Sequence, residues 1–138
     1  RGTRLPLSPD RCGSPINETI SFEDFEILDI RVGTITSVSE VAKSNKLMKL
    51  TFRFGDHTRS ILAGIKKERA NPQEIEGKQA LFVLNYLKKN GGEVSQGMLF
   101  DIGYADNITP CLAVPEIPVP NGQEPDDVMR SRIMIQWQ

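Results

Sequence analysis

The sequence predicts an all-β protein built as a small barrel of five strands, and three observations carry that prediction. In residues 46–54, Met48, Leu50, Phe52 and Phe54 alternate with Lys49, Thr51 and Arg53, the two-residue period of a strand with one face buried and one in water. Short runs of the same kind recur along the chain, separated by Gly, Pro and Asn clusters of the sort that turn a chain between strands. A glycine, Gly33, interrupts the first of these runs, where a small barrel needs a bulge or sharp bend to turn a corner.

Taken in order, residues 1–20 mix Pro, Gly, Ser and Arg without apolar periodicity and read as a flexible tail or an appended leader. Ser21 and Asp24 form a capping-box pattern ahead of Phe22 and Phe25, which predicts one short amphipathic helix over 22–28. The first strand starts at Ile30. A polar loop, Ala42-Lys43-Ser44-Asn45, leads into the 46–54 strand, and Gly55-Asp56-His57 turns it back into a third strand, 58–63. Asn71-Pro72 and Gly77 bracket a one-turn helical insert between the third and fourth strands.

Gln79–Asn85 is a short, nearly continuous apolar run, as expected of a fourth strand buried on both sides. Lys88-Lys89-Asn90-Gly91-Gly92 reads as a flexible basic loop. A fifth strand is expected over about 96–105, a turn at Asn107 and a short strand over 108–114. Pro115, Pro118 and Pro120 then impose an extended, edge-like segment, and Ile133, Ile135 and Trp137 suggest a last strand. Five short strands, a bend at a glycine and one helical break between strands three and four describe an OB-fold barrel. The expected layout is a tail over 1–20, one domain over 21–122 and a C-terminal extension over 123–138.

Charge distribution says more than net charge. The 138-residue chain carries a net −1, which by itself argues against a polyanionic partner. Between residues 43 and 69, however, eight cations (Lys43, Lys46, Lys49, Arg53, Arg59, Lys66, Lys67, Arg69) stand against two acids (Asp56, Glu68), a local +6. Such asymmetry creates a positive field on a nearly neutral molecule. In an OB barrel, oligonucleotides lie on the outer face of strands two and three and the loops beside it, which is where this segment falls. The Lys88-Lys89 stretch falls where the loop between strands four and five is expected.

Several function classes find no support. No apolar run approaches the roughly 20 residues of a membrane helix, and the first twenty residues contain no apolar core of a signal peptide. The expectation is therefore a cytoplasmic protein that does not engage a membrane. Cys12 and Cys111 form neither a disulfide framework nor a metal-type pair, and no pattern calls for a metal or cofactor. His57 beside Asp56 resembles a general-base pair, but no nucleophile motif accompanies it. The glycines lack phosphate-loop spacing. The chain is expected not to be an enzyme.

The residues also resemble a known family over about 22–122. Phe22-Glu23-Asp24-Phe25-Glu26 followed by Asp29-Ile30-Arg31-Val32-Gly33-Thr34-Ile35 is similar to the opening of the tRNA-binding OB domain. That domain occurs at the C-terminus of methionyl-tRNA synthetases, in free-standing tRNA-binding proteins and in CsaA-type secretion chaperones. Lys49-Leu50-Thr51 with Phe54-Gly55, Gly103-Tyr104-Ala105-Asp106 and Val119-Pro120-Asn121-Gly122 resemble the CsaA branch. Ala63-Gly64-Ile65 and Ser95-Gln96-Gly97-Met98 resemble the synthetase branch.

The resemblance implies a homodimer that binds tRNA by shape, alone or docked on an aminoacyl-tRNA synthetase; its CsaA side implies an unfolded polypeptide as the alternative partner. The family's loop lysine corresponds to Lys46, and its Ser-(Glu/Gln)-Gly-Met element to Ser95, Gln96, Gly97 and Met98. The family's Asp before that lysine is Asn45 here, and its His-Pro is Val41-Ala42. Its dimer contacts map to Phe22 and Phe25 in the helix and to Pro118, Val119 and Pro120 in the extended segment.

The candidate RNA contacts each have a structural alternative. Lys46, Lys49, Arg53, Arg59, Lys88 and Lys89 could neutralise phosphates or simply solvate the surface. Arg31 alternates with Ile30 and Val32, and either binds RNA or pairs with Glu26 or Asp29. Ser95 and Gln96 could hydrogen-bond ribose or phosphate, and Met98 could pack on a base or in the core. Asn85 touches RNA or caps a turn.

Overall fold

A computed structural model describes residues 15–90, 92–103 and 108–126. The expected tail up to residue 14 with Cys12, the turn at Asn107 and the last strand over 133–137 lie outside the described residues.

The N-terminal helix, α1 (Phe22–Phe25), forms as its capping box predicts. The Asp24 N–H donates to the Ser21 hydroxyl (3.2 Å) and the Ser21 N–H to the Asp24 carboxylate (3.4 Å). It is a single turn, shorter than the 22–28 expected, because Ile27 and Leu28 stay exposed and no apolar stripe extends it.

Five strands then make one antiparallel sheet: β1 (Ile30–Glu40), β2 (Met48–Phe54), β3 (His57–Ala63), β4 (Gln79–Asn90) and β5 (Glu93–Leu99), in the order β3-β2-β1-β4-β5. The two outer strands curl round to face each other. The Leu62 N–H of β3 donates to the Ser95 hydroxyl of β5 (2.9 Å), and the Ser60 N–H reaches the Gln96 side-chain oxygen (3.4 Å). Side chains thus bridge the seam of the OB fold. A 3-10 turn, Pro72–Ile75, occupies the predicted break between β3 and β4 and buries Ile75. Asn71 does not cap it with its side chain as expected; Pro72 starts the turn instead, its missing N–H being no loss at that position.

Met48, Leu50, Phe52 and Phe54 are all buried, as the alternation in β2 requires. Phe52 stacks parallel on Phe82 of β4 with ring centroids 3.9 Å apart. Gly33 is what admits this pair: a Cβ there would sit 3.0 Å from the Phe52 ring and 3.0 Å from the Arg53 carbonyl oxygen. The bulge expected at Gly33 lies instead three residues later, at Thr36. There the β1–β2 register passes from Ile35 opposite Phe52 to Ser37 opposite Thr51, leaving Thr36 unpaired. The Glu76 carboxylate accepts from the Val38 N–H (2.8 Å), holding the strand just beyond this kink.

A second irregularity separates β4 from β5. Val83 pairs with Met98 and Leu87 with Gln96, so Leu84, Asn85 and Tyr86 oppose Gly97 alone. Gly97 adopts φ +145°, and a Cβ on it would lie 2.7 Å from the Val83 carbonyl oxygen. Only glycine fits that approach. Two expectations are corrected here. Lys88 and Lys89 belong to β4 rather than to a loop, because pairing with Ser95 and Val94 extends the hairpin to its tip. The fifth strand spans Glu93–Leu99 rather than 96–105; a separate two-residue ribbon, β6 (Asp101–Ile102) with β7 (Cys111–Leu112), follows it.

The proline-rich segment after β7 forms no strand, as predicted, but it docks on the barrel. The Gly122 N–H donates to the Val32 carbonyl (2.7 Å) and the Val32 N–H to the Gln123 carbonyl (2.9 Å). The Gln79 amide exchanges hydrogen bonds with the backbone of Val119 (2.6 and 3.1 Å). No helix among the described residues is long and apolar enough to cross a membrane.

Candidate nucleic-acid interface

Register decides which cations share a surface. Lys49, Thr51 and Arg53 stand opposite Leu62, Ser60 and Thr58 on β3 and opposite Ser39, Ser37 and Thr34 on β1. Directly opposed residues point to the same side of a sheet, so this outer face carries two cations in a field of hydroxyls and, at these paired positions, no acid. Hydroxyls and cations both contact phosphate oxygens. Lys43 and Lys46 stand exposed on the adjoining 41–47 loop and make no ion pair with the described residues. That loop is held in shape: the Ser44 hydroxyl accepts from the backbone N–H of Lys46 and Leu47, and the Lys66 ammonium spans the Ser44 carbonyl (3.1 Å) and the Glu40 carboxylate (2.9 Å). The Lys66 contact pulls the Glu40 carboxyl below the usual glutamate range.

Three of the eight cations in the basic segment are therefore occupied by the fold. Lys66 holds the loop. Arg69 pairs with Glu74 at 2.7 Å. Arg59 stands opposite Phe52, on the core side of β3 rather than the outer face expected for it. Its guanidinium donates to the Leu84 carbonyl (2.7 Å) and lies 5.9 Å above the Phe54 ring. Lys49 remains largely free, 4.0 Å from Glu93 at the β4–β5 hairpin, and Arg53 is exposed.

The other candidates separate into two places at opposite ends of β2 and β3. At the Phe54 end, Arg31, Arg59 and Asn85 line a hollow of about 220 Å3 with Asp29, His57, Phe54 and Leu84. Here Arg31 pairs with Asp29 (2.7 Å), which raises its already high pKa. Asn85 accepts from the Asp29 N–H (2.9 Å) and donates to the Ile27 carbonyl (2.6 Å), stitching the α1–β1 connection to β4. These contacts make the group a brace for the barrel end.

At the Met48 end, a cavity of about 380 Å3 opens between β3 and the β4–β5 hairpin, and Lys88, Ser95 and Met98 line it with Leu47, Leu62 and Tyr86. Ser95 is buried, its hydroxyl accepting from Leu62 and donating to the Gly97 carbonyl (3.3 Å), so both of its capacities serve the seam. Met98 is 45% exposed, not a core residue. Lys88 and Lys89 fall on opposite faces of β4 because strand neighbours alternate, and only Lys88 lines the cavity. Tyr86, 43% exposed, carries no signal in the sequence: it directly follows the Gln79–Asn85 run, and the bulge beside it leaves no mark in local periodicity.

Among the described residues no group of His, Cys, Asp and Glu is arranged to hold a metal ion. The segments expected at a subunit contact present apolar surface: Phe22 and Phe25 pack 6.3 Å apart and are half-buried. Val114 and Ile117 stand exposed beside Pro118, along a hollow of about 480 Å3.

Comparison with known proteins gives this geometry a family. Residues 30–124 match the model of a tRNA binding domain. The chain is 44% identical over 88 residues to the methionine–tRNA ligase of Chlorobium chlorochromatii, covering 63% of this chain and 12% of that one. It is 41% identical over 103 residues to the ligase of Phocaeicola vulgatus, covering 73% and 15%. The chain thus spans about an eighth of the length of these relatives. Among solved structures it resembles a methionyl-tRNA-synthetase-related protein from Pyrococcus horikoshii, with TM-score 0.68 and 33% identity over 77% of this chain and 96% of that one. It also resembles the chaperone CsaA of Bacillus anthracis, with TM-score 0.65 and 30% identity over 77% and 97%. With an OB-type sheet, a basic hydroxyl-lined outer face and a family match across most of its length, the chain belongs to the tRNA-binding domain family.

Proposed function

We propose that this domain binds folded tRNA without catalysing a reaction, holding it by backbone charge and shape on the outer face of β1–β3. The observation that carries the reading is the pairing of Lys49 and Arg53 with hydroxyl side chains, Ser39, Thr34 and Thr58, on the flanking strands. Lys43 and Lys46 extend this surface along the loop and Lys88 extends it along the hairpin. Such contacts neutralise phosphates and release counterions; they give affinity and orientation rather than sequence choice. The half-buried Phe22 and Phe25 of α1 and the exposed Val114 and Ile117 support a homodimer, in which two such faces would act on one RNA. A synthetase is a further partner consistent with the relatives' names, and the cytoplasm the compartment consistent with tRNA.

A second reading, binding of unfolded polypeptide, is favoured by Leu87 and Val94, 65% and 44% exposed on the hairpin, and by the likeness to CsaA. Salt separates the two. Fluorescence anisotropy of total tRNA across a salt series should show log affinity falling linearly, by about 0.7 to 0.9 decade per decade of salt for each phosphate neutralised. The variant Lys46→Ala/Lys49→Ala should bind more weakly, with a slope smaller by about 1 for each lysine. Affinity that holds or rises with salt, for an unfolded polypeptide and not for tRNA, would favour the second reading.

A further inference from the structure

We infer that the cavity between β3 and the β4–β5 hairpin takes a single unstacked nucleobase, guanine ahead of uracil, with Tyr86 as its stacking surface. This rests on the RNA-binding reading and adds a base site to a backbone-binding face. The cavity measures about 380 Å3, within the range of small-molecule sites. Tyr86 and Met98 line it while remaining 43% and 45% exposed, so two large apolar side chains are left uncovered around a hollow. A flat ring stacked on the tyrosine would cover them, as aromatic side chains do for unstacked bases in single-stranded RNA.

The charged side chains that line the cavity are Lys88, Glu68 and Asp101. Asp101 lines it, and its Oδ1 is buried without a hydrogen-bond partner among the described residues. A carboxylate accepts only, and a buried acceptor left unpaired calls for a donor. Guanine offers two adjacent N–H groups on its Watson–Crick edge, whereas uracil offers one between two carbonyls. Lys88, exposed and also lining the cavity, supplies the cation for the attached phosphate. An apolar segment of polypeptide could cover Tyr86 and Met98 but has no use for Lys88 and Asp101.

The β4 bulge opposite Gly97 is what builds this arrangement. Three residues against one bend the strand, so that Tyr86 reaches the cavity while Asn85 braces the barrel end.

Two measurements on the whole chain test the inference. In the first, guanosine 5′-monophosphate is titrated into the wild-type protein by NMR. The Met98 methyl and Gly97 amide signals should shift and saturate, with uridine 5′-monophosphate binding about tenfold more weakly. In the second, Tyr86→Ala should weaken total-tRNA binding roughly tenfold at unchanged salt slope, while Tyr86→Phe stays within about twofold, the ring face being kept.

If Tyr86→Ala, shown folded by its thermal melt, binds tRNA like the wild type while Lys46→Ala/Lys49→Ala does not, the base site is refuted and the RNA reading stands. If neither variant changes binding, both fall. Should Tyr86→Ala not fold, the nucleotide titration decides alone. Signals that move with an unfolded polypeptide and stay still with guanosine monophosphate overturn the inference as well.

Discussion

Replacing Ser95 with alanine separates a structural role from RNA contact at one atom. The Ser95 hydroxyl is buried, accepts the Leu62 N–H at 2.9 Å and donates to the Gly97 carbonyl at 3.3 Å. Ser95→Ala removes both bonds and leaves the Leu62 N–H facing a methyl group in the β3–β5 seam. A lost hydrogen bond to a neutral partner costs about 1 kcal/mol, and an orphaned donor adds a desolvation penalty that brings the total to about 1–3 kcal/mol. Leu62 is only half-buried, so water relieves part of this and the lower half of the range applies, roughly 1.5 kcal/mol. With a urea m-value of roughly 1.5 kcal/mol/M for a domain of this size, the unfolding midpoint should drop by about 1 M. Urea unfolding followed by circular dichroism gives the midpoint; tRNA anisotropy under native conditions gives affinity. The expected result is a lower midpoint with affinity within about twofold of wild type. An unchanged midpoint with weakened RNA binding would show that the hydroxyl serves the ligand and not the seam.

Two further outcomes follow from the same geometry. Arg59→Met should lower stability by about 1–2 kcal/mol, since the Leu84 carbonyl loses a charge-assisted donor, and should leave the salt slope of tRNA binding unchanged. Arg53→Met, on the outer face, should do the reverse; slopes from the same anisotropy series decide the pair. Glu40 should titrate below the usual glutamate range because Lys66 holds its ionised form. A carboxyl depressed in the folded state stabilises above its unfolded pKa, and that contribution disappears as pH falls through the folded value. NMR titration of the Glu40 side chain should therefore return it to the ordinary range in Lys66→Ala, and an unmoved midpoint would discount the contact.

Local alternation was enough to place the core of β2. Met48, Leu50, Phe52 and Phe54 are buried because side chains two apart must share a face, whatever the partners are. The capping box at Ser21 and Asp24 and the stop imposed by the prolines after residue 114 were legible for the same reason: each depends on groups a few residues apart. The hairpin of β2 and β3 was legible from the turn residues between them, while the order of the sheet came from the structure. Arg59 marks the limit. Its charge and position in sequence place it with Lys49 and Arg53, yet it shares its side of β3 with Ile61, and its guanidinium ends on the Leu84 carbonyl.

What the sequence by itself determined, then, was the first four strands, the two-faced character of β2 and the family, since these rest on short-range periodicity and on contiguous motifs. Tertiary structure alone decided which cations are free, where the chain bulges and what the hairpin faces. Lys66 and Glu40, 26 positions apart, become an ion pair. Ser95, 33 positions from Leu62, becomes a seam bond. Tyr86 and Met98 line one cavity beside a bulge whose three-to-one count exists only between paired strands. Each of these is a relation between distant segments brought together by burial of the core, and no local pattern encodes it.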